Sequence, residues 1–186
     1  MPFAFMRMQI PDVILVRPSS FEDERGYFLE TYKSSSFIEN GINAKFLQDN
    51  LSFSKKGTLR GIHFQKSPYA QGKLVSVVSG SIFDVAVDLR NNSKTFGHYV
   101  SVNLTGNNHM ALWIPQGFGH GFVALEDSFV MYKATNEYNR QYDSGILWND
   151  SDIGIDWPAI SQIVSEKDKK LMTFASYKEE MVANTE

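Results

Sequence analysis

The stretch Gly57-Thr58-Leu59-Arg60-Gly61-Ile62-His63-Phe64-Gln65 sets an arginine and a histidine three residues apart in an apparent strand. Side chains alternate along a regular strand, so Arg60 and His63 share a face only if Gly61 marks a bulge or a close backbone approach that re-aims them. Brought together, the pair suits proton transfer on an anionic substrate. The planar guanidinium holds phosphate through a fork of donors, and a neutral imidazole titrates near the working pH of a general base. A satisfied structural histidine accounts for the same spacing, and both readings stand at this point.

The elements that must position these residues read as strands. In residues 81–89, Phe83, Val85, Val87 and Leu89 alternate with Ile82, Asp84, Ala86 and Asp88, the period of two of a sheet. Residues 74–78, followed by Ser79-Gly80, predict a hairpin with that strand. Residues 99–104, the turn Gly106-Asn107-Asn108 and residues 110–115 repeat strand, turn and strand, and further strands are expected over 122–125 and 129–133. Many short strands with Gly-rich turns predict an all-β barrel or sandwich. Helices are few and peripheral. Residues 36–39 have capping-box spacing with Gly41 to end the turn, and a second helix is expected after Ser165-Glu166-Lys167-Asp168, running from Lys169 to Glu180.

A length of 186 residues suits one domain, over 1–186. A formal net charge of -3 argues against binding nucleic acid by bulk charge, while leaving room for a local basic pocket. The absence of cysteine excludes disulfides and thiolate catalysis. The apolar opening is short and meets Gln9, Pro11 and Asp12 at once, so neither an export signal nor a membrane anchor is expected, and the protein is read as cytoplasmic. Small β-barrels often hold a metal with a His-x-His pair. Here Phe64 and Gln65 follow His63, His98 and His109 sit beside polar turn residues and are expected to be exposed, and His120 follows a Gly-rich turn alone. A metal-free site is expected.

Several stretches together carry a resemblance: Asp23-Glu24-Arg25-Gly26-Tyr27-Phe28-Leu29-Glu30, Gln48-Asp49-Asn50, Leu59-Arg60-Gly61-Ile62-His63-Phe64-Gln65 and Gln71-Gly72-Lys73-Leu74-Val75. Phe83-Asp84-Val85-Ala86-Val87-Asp88-Leu89-Arg90, Trp113-Ile114-Pro115-Gln116-Gly117-Phe118-Gly119-His120-Gly121-Phe122, Tyr132-Lys133, Gly154-Ile155-Asp156-Trp157-Pro158 and Ser165-Glu166-Lys167-Asp168 continue it. In this order they resemble the dTDP-4-dehydrorhamnose 3,5-epimerases, whose fold is a cupin-like β-barrel (jelly roll). Three positions depart from the common pattern. Ser76 stands where arginine is frequent, Gly119 where alanine is usual, and Glu137 at a position that is often aromatic near the sugar.

The resemblance implies inversion of C3 and C5 beside the C4 ketone of a dTDP-linked 4-keto-6-deoxyhexose, with no redox cofactor and no metal. It implies His63 as the base and Asp168 as its partner, although Ser165-x-x-Asp168 is also capping-box spacing. It implies Tyr132 as the acid on the other face, where packing in an aromatic strand is the alternative. Lys73 is implied beside the enolate oxygen, against the alternative of an edge-strand lysine. His120 is implied to contact the sugar or support the site, and Asp84 is a further candidate charge partner within the barrel. Arg25, Arg60 and Lys167 match positions around the diphosphate, while Glu30, Gln48, Asp49 and Asn50 match nucleoside-binding or adjacent ones. Asp143 matches a substrate-binding acid in a setting that also reads as a turn. Family members are homodimers whose N-terminal strands cross between subunits, so Arg25 and Glu30 are implied to complete the partner's site. Two other functions fit the same residues: a single-centre epimerase or keto-isomerase on another 4-keto nucleotide sugar, and a non-catalytic sugar-nucleotide-binding cupin. Joint retention of His63, Tyr132 and Asp168 argues against the last, because binding alone needs no base and acid.

Overall fold

A computed structural model of the chain describes residues 2–183. Two six-part layers of strand face one another. The first sheet has the order β1 (Phe3–Arg7), β2 (Ile14–Pro18), β10 (Ala111–Ile114), β7 (Lys73–Ser79), β12 (Ser128–Ala134) and β5 (Gln48–Ser54). The second runs β13 (Asp143–Gly145), β6 (Thr58–Gln65), β11 (Phe118–Ala124), β8 (Ser81–Asp88) and β9 (Tyr99–Thr105), with β14 (Ile163–Val164) parallel to the start of β6. A separate hairpin of β3 (Ser20–Asp23) and β4 (Gly26–Leu29) stands apart from both. This is the cupin-like barrel that the strand pattern and the resemblance predict.

The alternation in β8 shows how the core is divided. Ile82 and Ala86 face the interior with Val75, Val77, Leu112, Ile114, Phe118, Phe122 and Val130. Val85, Val87 and Leu89 face the other way, against Ile62, Phe64, Ile146 and Phe174, where the C-terminal segment covers the sheet. Both faces of the strand are therefore buried.

The expected hairpin of residues 74–78 with 81–89 does not form. β7 pairs with β10 and β12, whereas β8 pairs with β9 and β11 in the opposite sheet. The chain crosses the barrel at Gly80, so the apolar faces of β7 and β8 meet across the core instead of lying side by side. β11 begins at Phe118, directly after the turn at Gln116-Gly117, so His120 follows that turn and lies within the strand.

The helices also differ in detail. α1 (Ser34–Glu39) begins with Lys33 as its N-cap and has no side-chain cap. Ser36 already lies inside it, so the capping box is not made. Phe37 anchors this helix through edge contacts with Phe3, Phe5 and Tyr32. The expected C-terminal helix is split into a 3₁₀ turn at Asp168–Lys170 and α2 (Phe174–Ala183). The backbone between them is used elsewhere: Met172 bridges to Ile146, and Leu147 N–H donates to the Met172 carbonyl.

At the end of β8, the fully buried Asp88 carboxylate accepts from Arg90 Nε at 2.8 Å, Arg90 Nη2 at 2.7 Å, Ser93 Oγ at 2.6 Å and Thr95 Oγ1 at 2.6 Å. Arg90 also reaches Asp12, tying the N-terminal segment to the loop after β8. Burial alone raises the Asp88 pKa, but the Arg90, Ser93 and Thr95 bonds outweigh it and hold the group at about 2. Because the folded value lies below the unfolded one, this contribution to stability is complete above the unfolded carboxylate range and is lost as pH falls toward 2. Asp88→Ala strands the partly buried Arg90 and should cost about 3 kcal/mol or more in urea unfolding at neutral pH, a penalty that shrinks in acid. An equal penalty at every pH would place the effect in packing instead.

Candidate active site

The site begins with a defect in strand pairing. Opposite β11, His63 faces His120 and Arg60 faces Phe122, so two steps on β11 match three on β6. The extra residue is the bulge anticipated at Gly61. His120 and Phe122 share a face of β11, and their partners Arg60 and His63 therefore share one too. Both line a cavity of about 350 Å³ with Thr58, Ser165, Lys167 and Asp168. The bulge depends on two glycines. A Cβ on Gly61, whose φ is +133°, would stand 2.5 Å from Gly121 Cα, and one on Gly121 would stand 2.6 Å from Ile62 Cδ1 and 2.8 Å from the Arg60 carbonyl oxygen.

Asp168 reaches this point because the outer edge of β6 is covered in two pieces. β13 pairs with His63–Gln65, and β14 pairs with Thr58 and Leu59. The Gly61 N–H between them donates to Asp168 Oδ2 at 3.3 Å, while Asp168 Oδ1 accepts from His63 Nε2 at 2.9 Å. Ser165 Oγ accepts from the Asp168 N–H at 3.1 Å, half of the capping box, and the Ser165 side chain also helps to lower the Asp168 pKa. Capping and the histidine pair thus coexist. Burial pushes the Asp168 pKa up, yet the His63 hydrogen bond and charge, with the Gly61 N–H, bring it below the ordinary value. An ionised carboxylate only accepts, so Nε2 of neutral His63 carries the proton and Nδ1 keeps its lone pair.

The facing sheet supplies the other groups. On β12, Tyr132 follows Val130 on the inner face and packs against the core cluster. On β7, Lys73 precedes the inward-facing Val75 and Val77, and its Nζ lies 5.8 Å from the centre of the Tyr132 ring. Burial raises the Tyr132 pKa, opposed by the charge of Arg60, so the phenol stays protonated through the neutral range. Burial lowers Lys73 to about 8, against the raising effect of Asp84 and Asp143. His120 and Asp84 are buried together on β11 and β8, with His120 Nε2 to Asp84 Oδ1 at 2.7 Å.

Other candidates are distributed unevenly. Gln48 and Asn50 share the Tyr132 face of β5, and Gln48 Nε2 donates to Asn50 Oδ1 at 2.9 Å. Asp49 turns to the opposite face, where Lys133 donates to it at 2.9 Å, and is not brought to the site. Arg60 Nε donates to Ser54 Oγ at 3.1 Å and Nη2 to the Phe53 carbonyl at 3.2 Å, which holds the exposed guanidinium against β5. Lys167 donates to Asp143, a bond that raises the Lys167 pKa above its ordinary value. Arg25 pairs with Asp23 at the tip of the β3–β4 hairpin, and neither it nor Glu30 lines the His63 cavity in this chain. Among the described residues no three of His, Asp and Glu group as a metal cluster. His98 is exposed, but His109 is half-buried against Tyr27.

Sequence reasoning missed Tyr138. Glu137 is exposed, whereas the next residue donates its hydroxyl to Asp143 Oδ2 at 3.1 Å and its own N–H to Gln48 Oε1 at 2.8 Å. The aromatic side chain of this loop is therefore offset by one residue from Glu137. Its only sequence signal is a tyrosine in a polar run, which most surface loops share.

A carboxylate-supported histidine on one wall and a half-buried phenol and lysine on the other define a cupin-type barrel equipped for acid–base chemistry. Residues 7–176 match the family described as dTDP-4-dehydrorhamnose 3,5-epimerase. The chain is 50% identical over 171 residues to the protein of that name from Methanothermobacter thermautotrophicus, covering 90% of this chain and 92% of the relative. It superposes on the crystal structure of the Elizabethkingia anophelis enzyme with a TM-score of 0.90 at 43% identity, over 95% of this chain and 98% of that one. For the Legionella pneumophila epimerase in complex with dTDP-4-keto-L-rhamnose, the TM-score is 0.89 at 42% identity, covering 92% of each chain. The chain belongs to the dTDP-4-dehydrorhamnose 3,5-epimerase family.

The bulge makes a prediction of its own. Gly121→Ala should destabilise the fold by about 2 kcal/mol, the cost of forcing a methyl into a packed strand pair. It should also displace the His63 ring resonances in NMR spectra. Unchanged stability and unchanged His63 signals would show that β6 and β11 can separate freely.

Proposed function

We propose that this protein, as a single cupin-like domain, epimerises C3 and C5 of dTDP-4-dehydro-6-deoxy-D-glucose to give dTDP-4-dehydro-L-rhamnose. The observation that carries the reading is the His63–Asp168 pair at 2.9 Å on the wall opposite Tyr132, in a member of this family. Each carbon beside the C4 ketone is acidic. His63 Nδ1 takes its proton, the C–H bonding pair forms a C=C bond to C4, and the carbonyl π pair moves to the ketone oxygen, giving an enolate. The Lys73 ammonium stabilises that charge, and Asp168 stabilises the imidazolium. Tyr132 then returns a proton from the other wall. Imidazolium and phenolate reset by exchange with water, which leaves one solvent hydrogen at each inverted carbon. This balance calls for no redox cofactor or metal.

Arg60 and Lys167, beside His63 and Asp168 in one cavity, suit the diphosphate. Gln48 and Asn50 suit the nucleoside, while His120 and Asp143 suit the sugar. Arg25 and Glu30 would serve a second copy: the exposed Phe21, Tyr27 and Phe28 of the β3–β4 hairpin support a homodimer in which this arm crosses to the partner. A cytoplasmic location completes the reading. No described helix is long and apolar enough to cross a membrane.

Incubation with the 4-keto sugar nucleotide in heavy water, followed by NMR, should show deuterium at both C3 and C5, and label at one carbon only would reassign the protein as a single-centre epimerase. His63→Ala should lower kcat by at least about a hundredfold with the fold retained. Asp168→Asn should slow turnover, whereas Ser165→Ala should cost only about 1 kcal/mol of stability through the lost cap. If both of the latter variants merely lower the melting temperature, Asp168 is a capping residue. Tyr132→Phe should bind dTDP normally while exchanging substrate hydrogen faster than it epimerises. Lost nucleotide affinity with a normal rate in the surviving complex would make Tyr132 a binding residue.

A further inference from the structure

Asp84 is the most completely buried carboxylate near the site, at 0% exposure, and the reaction as derived does not use it. One oxygen accepts from His120 Nε2 at 2.7 Å, while the other, Oδ2, has no hydrogen-bond partner. A buried carboxylate left half-satisfied is costly unless a nearby positive charge compensates it. Asp84 lies between the inward-facing Ile82 and Ala86 on the same face of β8, and Lys73 continues the inward-facing row of Val75 and Val77 on the facing β7, so both enter one core and Lys73 supplies that charge. Around Lys73, β8 contributes Asp84, β11 contributes His120, β13 contributes Asp143, and β12 contributes the ring of Tyr132. His63 acts on His120 from β6, and Arg60 acts on Tyr132 from the same strand. His120 is held neutral mainly by burial, which outweighs its bond to Asp84, so it does not neutralise the carboxylate. Asp143 is already engaged by Lys167 and Tyr138. Asp84 is thus the anion in this cluster without another cation of its own.

We propose that Asp84 is a positioning residue that acts through Lys73, keeping the lysine charged inside the barrel and so setting the upper pH limit of enolate stabilisation. His120 orients the carboxylate by occupying Oδ1, which leaves Oδ2 for the field of the ammonium. The inference rests on the epimerase reading, in which the lysine must be charged when the enolate forms. Removing the Asp84 charge leaves burial to dominate, so Lys73 loses its proton at lower pH and activity fails earlier on the alkaline side.

The test compares pH profiles of kcat for wild type, Asp84→Asn and Asp84→Glu, with the wild-type solvent-exchange assay as control. Wild type should lose activity as pH rises through about 8. Asp84→Asn should move that limb down by about one pH unit, a roughly tenfold loss of kcat on the alkaline side, with little change in KM for the nucleotide sugar. Asp84→Glu should restore the limb. A lower kcat with an unmoved limb would make Asp84 structural and overturn the proposal. ¹³C NMR of Lys73 in wild type, assigned by its loss in Lys73→Met, gives a second measurement that does not depend on the Asp84 variants folding. A Lys73 already uncharged at neutral pH overturns the proposal by itself. Absence of hydrogen exchange in wild type would instead strike the epimerase reading.

Discussion

The close approach of Gly61 to Gly121 is the constraint on which the site depends. Where a Cβ would stand 2.5 Å from the facing backbone, only two glycines permit the strands to meet, and the mismatch they tolerate is the bulge. Three consequences follow from that one irregularity. Arg60 and His63 turn to a common face, the Gly61 N–H drops out of regular strand pairing, and Asp168 finds a donor there. A regular β6 would send Arg60 and His63 to opposite sides of the sheet.

Around this point the barrel solves an electrostatic problem. Its interior holds a lysine, a phenol, two histidines and two carboxylates in a setting where isolated charge is unfavourable. The groups remain usable because each is tied to a different partner. Asp168 stays ionised by virtue of His63 and a backbone N–H. Tyr132 stays protonated because burial outweighs the pull of Arg60. Tyr132 and His63 are therefore kept apart by the width of the barrel.

Much of this was legible in the residues themselves. The alternation in 81–89 revealed a strand, and the clash between three-residue spacing and a two-residue period pointed to a bulge at Gly61. Which strands pair was not legible, because Ser79-Gly80 has the composition of a hairpin turn whether the chain doubles back or crosses the barrel. The split of the C-terminal helix was equally hidden, since it is imposed by the backbone of Ile146, far away in sequence. For Asp168, local spacing indicated a cap, and the contact that matters lies 105 residues away. Tyr138 carried no signal beyond its type, and its importance exists only after Asp143 and Gln48 are brought beside it.

The crossing of the chain between sheets has a consequence for how the protein acquires its shape. Strand β6 takes its partners from β11, β13 and β14, all later in the chain, and β5 waits for β12. Few ladders close locally, so contact order is high and the barrier to folding is dominated by loop closure. During synthesis on the ribosome, His63 emerges more than a hundred residues before the carboxylate that orients it. Strands β5 and β6 wait unpaired until β12 and β11 are made, and this stretch of biosynthesis is when the nascent chain most needs protection from aggregation.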